Sequence, residues 1–571
     1  MNILLVAINA KYIHSNPAIF SLKACTGIYS PHVQTVEFTI NQPFAFLLQE
    51  IYKKEPDVIA FSCYIWNRSL IGQLIGDLHK ILPDTDIWAG GPEVSYNPYE
   101  VKKEWMLRGV MAGAGEGSFS FLVASYVQKT ADSLPDVLTT ENTPKMPFCD
   151  IPFWYQDMES FQNRIVYYES SRGCPFSCSY CLSSIDRQME FRPTERVCEE
   201  LAFFFAQKVP QVKFIDRTFN CNKQHALPIL RYLLKHDNGI TNFHFEIAAD
   251  LLDEDYFALL EQMRPGAVQL EIGIQSTNRQ TLKEIDRNMD FAKTADAVRR
   301  VLSWNNIHVH LDLIAGLPYE DFHSFQVSFN DVYALRPMQL QLGFLKVLKG
   351  SAIEARAPKY SLVSSSQPPY EVLSTKWLSY QEVCRLKQIE EVFEIYYNSG
   401  QFTHTLQLLL PYFSSAFAMY DSLATWFAEH SLFGILSNRV RKYEILLEFG
   451  TSCILNGHAT DTKCPAARQI LKLRETLTLD LYLREHMKNR PAFAVPSSQW
   501  KQAVQDILLK EAQTHALFAE YSGYRYKELV KVLHVEVFET IYAQPEAVVF
   551  SYQKKDPLTN NGRAVRAALP L

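Results

Sequence analysis

Along the first third of the chain, short, mostly apolar runs alternate with stretches of helical periodicity. The runs 2–8 (NILLVAI), 33–38, 57–64 (DVIAFSCY), 86–89 and 109–111 predict strands. Residues 17–28, 44–54 and 69–82 predict the helices between them, the first opening on Pro17, and a glycine loop at 113–117 closes the pattern. Strands apolar on both faces and separated by helices imply a parallel, doubly wound sheet, which takes ligands beyond the carboxyl ends of its strands. The stretch 130–157, rich in Pro, Thr and Asp, reads as an exposed strap. A second alternating region follows, with strands at 164–168, 212–215, 243–248, 268–274, 308–315 and 339–347. Helical patterns at 195–207, 225–236, 254–263, 279–285 and 291–303 separate them, which predicts a partial (β/α)6 barrel with its reactive groups at the carboxyl ends of the strands. Beyond the Ser/Pro-rich join 361–370 the periodicity turns helical at 379–398, 403–411, 415–430, 440–449, 465–486 and 498–516. A hairpin at 535–542 and 547–552 and a flexible KDPLTNNGR end it. The expected class is α/β, with domains at 1–132, 161–360 and 371–571 and a linker at 133–160.

Chemistry concentrates in SSRGCPFSCSYCLSS, residues 170–184, where Cys174, Cys178 and Cys181 follow the first strand of the second region. Three thiolates this close on a Gly/Pro-punctuated loop suit one compact metal centre, and three leave one iron of a four-iron cluster without a protein ligand. A zinc knuckle wants a fourth ligand, and no histidine lies between His79 and His225. Cys198 shares a helical apolar stripe with Val197, Leu201, Phe204 and Phe205, which assigns it to a core. A disulfide would leave an odd thiol.

The loops after the first sheet's strands read NAKYIHSNPA, CYIWNRS, AGGPEVS and AGAGEGS. Their small residues Gly90, Gly91 and Gly115 let backbone approach a flat or extended ligand, and Ser62, Ser69 and Ser118 can supply hydrogen bonds. A GxGxxG fingerprint after the first strand is missing, which disfavours NAD and FAD. In the barrel region the strand ends carry Asp216, Arg217, Thr218 and Asn220, then Glu246 and Asp250, then Glu271, Gln275 and Ser276, then Gly316 and Glu320. For each carboxylate the alternative to ligand binding is a salt bridge within the barrel, with Arg172 or Arg217 as partner. His308 and His310 lie in the alternating HVHLDLI and are expected to be structural.

The C-x3-C-x-aromatic-C run, with Tyr180 as its aromatic, resembles the radical S-adenosylmethionine (SAM) superfamily. The glycine-turn sheet placed before it resembles the cobalamin-binding domain of the cobalamin-dependent members. The resemblance implies a 4Fe-4S cluster on Cys174, Cys178 and Cys181, with SAM on the open iron beside Tyr180, Asp216, Glu246, Gln275 and Gly316. It also implies cobalamin against Ser62, Gly90, Gly91, Gly115 and Glu116, with His14 near the position of a cobalt-ligating histidine. The match is incomplete. Tyr12 and Pro17 replace the Asp and Gly of D-x-H-x-x-G, and FIDRTFN lacks the glycines of the segment that holds the SAM amino group. Asp312 replaces the first glycine of G-x-I-x-G-x-x-x-E. What the family does implies an enzyme, most simply a methyltransferase acting on an unactivated carbon through methylcobalamin and a 5′-deoxyadenosyl radical. The alternatives are a cyclase or oxidoreductase using cobalamin without methyl transfer, and a non-catalytic cobalamin or iron–sulfur sensor. A methylthiotransferase is disfavoured, because the first domain has only Cys25 and Cys63 where a second cluster needs three cysteines.

Composition adds limits. With 47% hydrophobic and 21% charged residues, net charge −6 and pI about 6.2, nothing marks a nucleic-acid or anionic-membrane binder. Eleven cysteines without a framework point to a reducing compartment. The N-terminus lacks a basic n-region, and the chain lacks a bilayer-length apolar run. A cytoplasmic protein is expected, whose partners are a small-molecule or peptide substrate and a reductant for the cluster.

Overall fold

The computed structural model describes residues 1–156, 158–456 and 465–569. The chain forms two compact units, one of Met1–Ile307, Ile314–Asp321 and Gly343–Ser379, the other of His308–Leu313, Phe322–Leu342 and Tyr380–Leu571.

The first unit holds a six-stranded parallel sheet in the spatial order Val33–Thr39, Ile3–Asn9, Val58–Ser62, Asp86–Gly90, Gly109–Met111, Val137–Leu138. All seven residues of Ile3–Asn9 are buried, since helices cover both faces. Leu4, Val6 and Ile8 point to the core shared with helices Phe44–Tyr52, Arg68–Ile81 and Pro98–Trp105. Ile3, Leu5 and Ala7 point to the core shared with Pro17–Cys25 and Gly115–Val127. Each fully buried Ile or Leu here is worth roughly 1.5–3 kcal/mol.

The stretch expected to be an exposed strap is largely structured. Val137–Leu138 pairs with Val110 and Met111 as the sixth strand, and Leu134, Phe148, Ile151 and Tyr155 are buried. Its last residue, Asp157, lies outside the described residues. The expected loop 113–117 is a turn at Gly113 that runs straight into helix Gly115–Val127.

In the second sheet Val166–Tyr168, Gln211–Phe214, Asn242–Glu246 and Val268–Gln275 lie side by side in parallel. The carboxyl ends of strands His308–Ala315 and Gln339–Phe344 also belong to the first unit, where the Leu345 amide donates to the Ala315 carbonyl. Along Val268–Gln275 burial alternates strictly, leaving Gln269, Glu271, Gly273 and Gln275 on one half-exposed face. The first unit is tied together by several contacts. Arg164 pairs with Glu37 at 2.5 Å, Ser15 donates to the Ile165 carbonyl, and the Tyr370 hydroxyl donates to buried Glu93 at 2.8 Å.

The second unit is mostly helical. Helix Ala466–Arg484 is buried on nearly every side through its last three turns. Its Glu475 accepts from the amides of Glu539 and Thr540, and its Asp480 from those of His404 and Thr405 at the start of helix Thr403–Leu409. A carboxylate at a helix N-terminus is a favourable arrangement. The expected hairpin has a third strand: Leu533–Phe538, Glu546–Lys555 and Gly562–Ala567 pair antiparallel. The segment expected to be flexible is the turn between the last two, in which Asp556 accepts from the amides of Leu558 and Thr559. No helix among the described residues is long and apolar enough to cross a membrane.

Candidate functional site

The cysteine loop leaves strand Val166–Tyr168 through Ser171–Arg172, which pairs antiparallel with Glu190–Phe191 and closes the loop's base. Gly173 sits at φ +89°, and a Cβ there would lie 2.3 Å from the Gln188 carbonyl, so only glycine fits. The Cys174 amide donates to Asp186, and Ser179 to the Ile285 carbonyl at 2.9 Å. Cys174 and Cys178 are buried and Cys181 is half-buried. Burial pushes the Cys174 thiol up; the Phe176 amide and Thr218 hydroxyl oppose this, and the neighbouring Cys181 and Cys178 add to it. The three thiols thus share one neighbourhood. A fourth thiol lies close by: burial, and next Cys174, push Cys221 up to about 11. Its distance along the chain hid it from motif reading.

Arg287 also went unseen, because nothing local in EIDRNMD marks it. Its Nη1 donates to Cys178 Sγ at 3.6 Å and to the Tyr180 hydroxyl at 3.3 Å, and its Nη2 donates to the Gly273 carbonyl. Burial disfavours its charge, yet Tyr180 and Cys178 hold its pKa above the usual arginine value. Gln275 ends its strand at φ +71°, and its Oε1 is buried without a hydrogen-bond partner. Strain and an orphaned acceptor together are what a ligand site leaves when its ligand supplies the missing bond. Glu246, half-buried, ends the neighbouring strand opposite Glu271.

Other expected contacts are engaged elsewhere. Asp216 is fully buried, and its carboxylate accepts from the Ser170 amide at 2.8 Å and from the hydroxyls of Ser170 at 2.5 Å and Ser171 at 2.9 Å. It secures the entry to the cysteine loop. Desolvation pushes it up to about 6 against those hydrogen bonds. Gly316, at φ +88°, is required by packing: a Cβ would sit 2.7 Å from Val372 Cγ1. Glu320 accepts from Ser276 Oγ at 2.6 Å, linking two strand ends. Ser118 is bonded to Thr143, and Ser69 is exposed on helix Arg68–Ile81. His14 packs against the start of the second sheet. Its Nδ1 meets the Tyr167 hydroxyl at 2.7 Å, its backbone bridges Ile165, and its side chain stands outside the cavity described next.

A cavity of about 710 Å³ opens at the carboxyl edge of the first sheet. Ser62, Gly90, Gly91, Gly115 and Glu116 line it, and Tyr64 and Tyr96 join them. Gly91 adopts φ +108°, with a virtual Cβ only 2.4 Å from the Cys63 carbonyl. The opposite wall is the cysteine loop and its neighbour strand: Arg172, Leu182, Ile185, Asp186 and Arg217. Arg172 spans the two walls, pairing with Glu116 and Glu169 at 2.8 Å each. Arg217 is exposed and has no ion partner among the described residues.

A parallel sheet presenting glycine turns, beside a second parallel sheet whose first strand leads into a three-cysteine loop, is the arrangement that the sequence resemblance implied. Family models match accordingly: "B12 binding domain" over residues 3–123, "Radical SAM superfamily" over 168–332 and "Protein of unknown function (DUF4080)" over 358–556. The chain is 26% identical over 313 residues to the cobalamin-dependent radical SAM methyltransferase TokK of Streptomyces tokunonensis, covering 48% of this chain and 44% of that protein. It thus spans about half the length of the curated relatives it matches. Its fold is similar to that of the radical SAM methyltransferase TsrM from Kitasatospora setae, described with cobalamin and a [4Fe-4S] cluster bound (TM-score 0.53, 14% identity, 65% of this chain and 82% of that one). It is similar too to the cobalamin-dependent SAM radical enzyme OxsB with aqua-cobalamin bound (TM-score 0.53, 12% identity, 90% and 76%). The chain thus carries a region that matches the B12-binding family and one that matches the radical SAM superfamily, and it is similar to cobalamin-dependent radical SAM methyltransferases.

Proposed function

We propose that this protein is a methyltransferase that acts on an unactivated carbon with a 4Fe-4S cluster, SAM and cobalamin. The observation that carries the reading is the shared cavity: one wall is the glycine-lined sheet edge, the other the loop that bears the three cysteines. The residues suit the groups. Glycines at 90 and 91 bring bare backbone to the cavity wall, against which a flat macrocycle could lie. Cys174, Cys178 and Cys181 offer soft ligands while sparing one iron. Gln275 presents a buried acceptor lacking a donor, which the ribose of SAM would supply. Arg287, a cation with no carboxylate partner among the described residues, faces the same place. Tyr180 closes the adenine side, and Glu246 is the remaining candidate for the SAM amino group.

When bound, the cluster supplies the electron that cleaves SAM and the corrinoid supplies the methyl group. The chain's own part is to hold the two against each other: Leu182 and Ile185 give the cysteine-loop wall its apolar portion, and the Arg172–Glu116 pair fastens it to the sheet. The domain limits that accompany this reading are 1–132, 161–360 and 371–571, with the joining segment 133–160 giving its short strand to the first sheet. A reducing compartment such as the cytoplasm would keep the thiols free, as all described cysteines are.

The test is anaerobic incubation of reconstituted protein with SAM and a strong reductant. Both 5′-deoxyadenosine and S-adenosylhomocysteine are expected. Formation of 5′-deoxyadenosine alone would overturn methyl transfer in favour of ring closure or oxidation, and formation of neither would point to a sensor.

A further inference from the structure

The fold sets a guanidinium directly beside a cluster ligand. Arg287 Nη1 stands 3.6 Å from Cys178 Sγ, Nη2 is held by the Gly273 carbonyl, and Nε is sealed from solvent without a partner. None of the ion pairs among the described residues includes it, whereas the adjacent Asp286 is taken by Arg356 at 2.8 Å. The placement is fixed from two sides. The Arg287 amide donates to Leu282 at 2.9 Å, and the Ile285 carbonyl two residues earlier accepts from Ser179, the neighbour of Cys178. Gly273 leaves the space: a Cβ there would lie 3.5 Å from Arg287 Nη2 and 2.2 Å from Gln275 Nε2.

We propose that Arg287 tunes the iron–sulfur centre, donating an N–H to the Cys178 sulfur and thereby raising the cluster's reduction potential. Adding an electron to a cluster deepens its negative charge. A fixed cation and an N–H···S hydrogen bond both favour that state, and hydrogen bonds to sulfur and net charge are among the factors that set such potentials. The charge is buried without a carboxylate to neutralise it, so it acts on the sulfur undiminished. Arg287 is a positioning residue in this role: it reaches the cluster through Cys178. The inference rests on the cluster assignment above.

Arg287→Met and Arg287→Lys are compared with the unmodified protein by EPR-monitored redox titration, without SAM. In Arg287→Met the reduced-to-oxidised ratio at the unmodified protein's midpoint falls about tenfold, equivalent to about 59 mV for a one-electron couple. Arg287→Lys, which keeps the charge, recovers part of it. A midpoint unchanged in Arg287→Met overturns the proposal. Should that variant fail to retain iron, the unmodified protein carries the test: with arginine labelled by ¹⁵N at the guanidinium, the reduced cluster shows a ¹⁵N hyperfine coupling. No coupling on a loaded cluster overturns the tuning role alone. Absence of any cluster in the unmodified protein overturns the function proposed above and this inference with it.

Discussion

Two residues carry unusual backbone or charge states whose consequences are measurable. Gly91 occupies φ +108° with a carbonyl 2.4 Å from where a Cβ would stand. Gly91→Ala therefore meets both a disfavoured dihedral and a backbone collision, and costs at least about 1–3 kcal/mol. A lowered melting temperature and loss of cobalamin retention through gel filtration are the expected outcomes; full retention would mean that this turn does not face the corrinoid. Asp216 is the second case. Its carboxyl is raised in the fold to about 6 by burial, while in the unfolded chain it ionises near the ordinary 3.8. Between those values the folded form binds the extra proton, so its contribution to stability is complete below about pH 4 and is lost as pH rises through 6. The loss is about 3 kcal/mol. Asp216→Asn cannot titrate, so the stability of the unmodified protein relative to it falls between pH 4 and 7 and is flat above. The neighbouring His225, pushed down to about 4 by burial, is common to both proteins and cancels in the difference. Denaturant midpoints across that range check it, and a difference independent of pH would contradict the assignment.

At the scale of the element, the strands that lead to the site were legible in the sequence because their apolar residues either run unbroken or alternate regularly. Ile3–Asn9 and Val268–Gln275 show this directly: one is buried throughout, and the other alternates without a break. Val137–Leu138 was not legible, since two residues carry no periodicity, and Pro and Thr around it imitate a linker. The helix at Gly115–Val127 was hidden by its first residues, GEGS, which read as a turn although they begin a helix. The cysteine loop was legible from spacing alone. Its supports were not: Arg287, Gln275's strain and Cys221 arise from segments distant in sequence, and only the closed fold brings them to the loop. Asp216 shows the opposite failure. Its position at a strand end was read properly, but side-chain direction there depends on Ser170 and Ser171, which reach it from the preceding strand's exit.

For the molecule as a whole, the first unit contains both walls of the cavity, so corrinoid and cluster would be held by one compact body. The second unit is built around helix Ala466–Arg484, whose buried carboxylates serve backbone amides of its own unit. The central claim is that three cysteines of the first unit hold a cluster with one open iron beside a cobalamin. The most direct measurement is the metal content and EPR spectrum of anaerobically purified protein, taken alongside Cys221→Ser and a triple Cys174, Cys178 and Cys181→Ala variant. The account predicts about four irons and a single cobalt per chain, with iron unchanged in Cys221→Ser and only cobalt left in the triple variant. Loss of the cluster in Cys221→Ser would reveal a fourth thiolate and no open iron, and would contradict it.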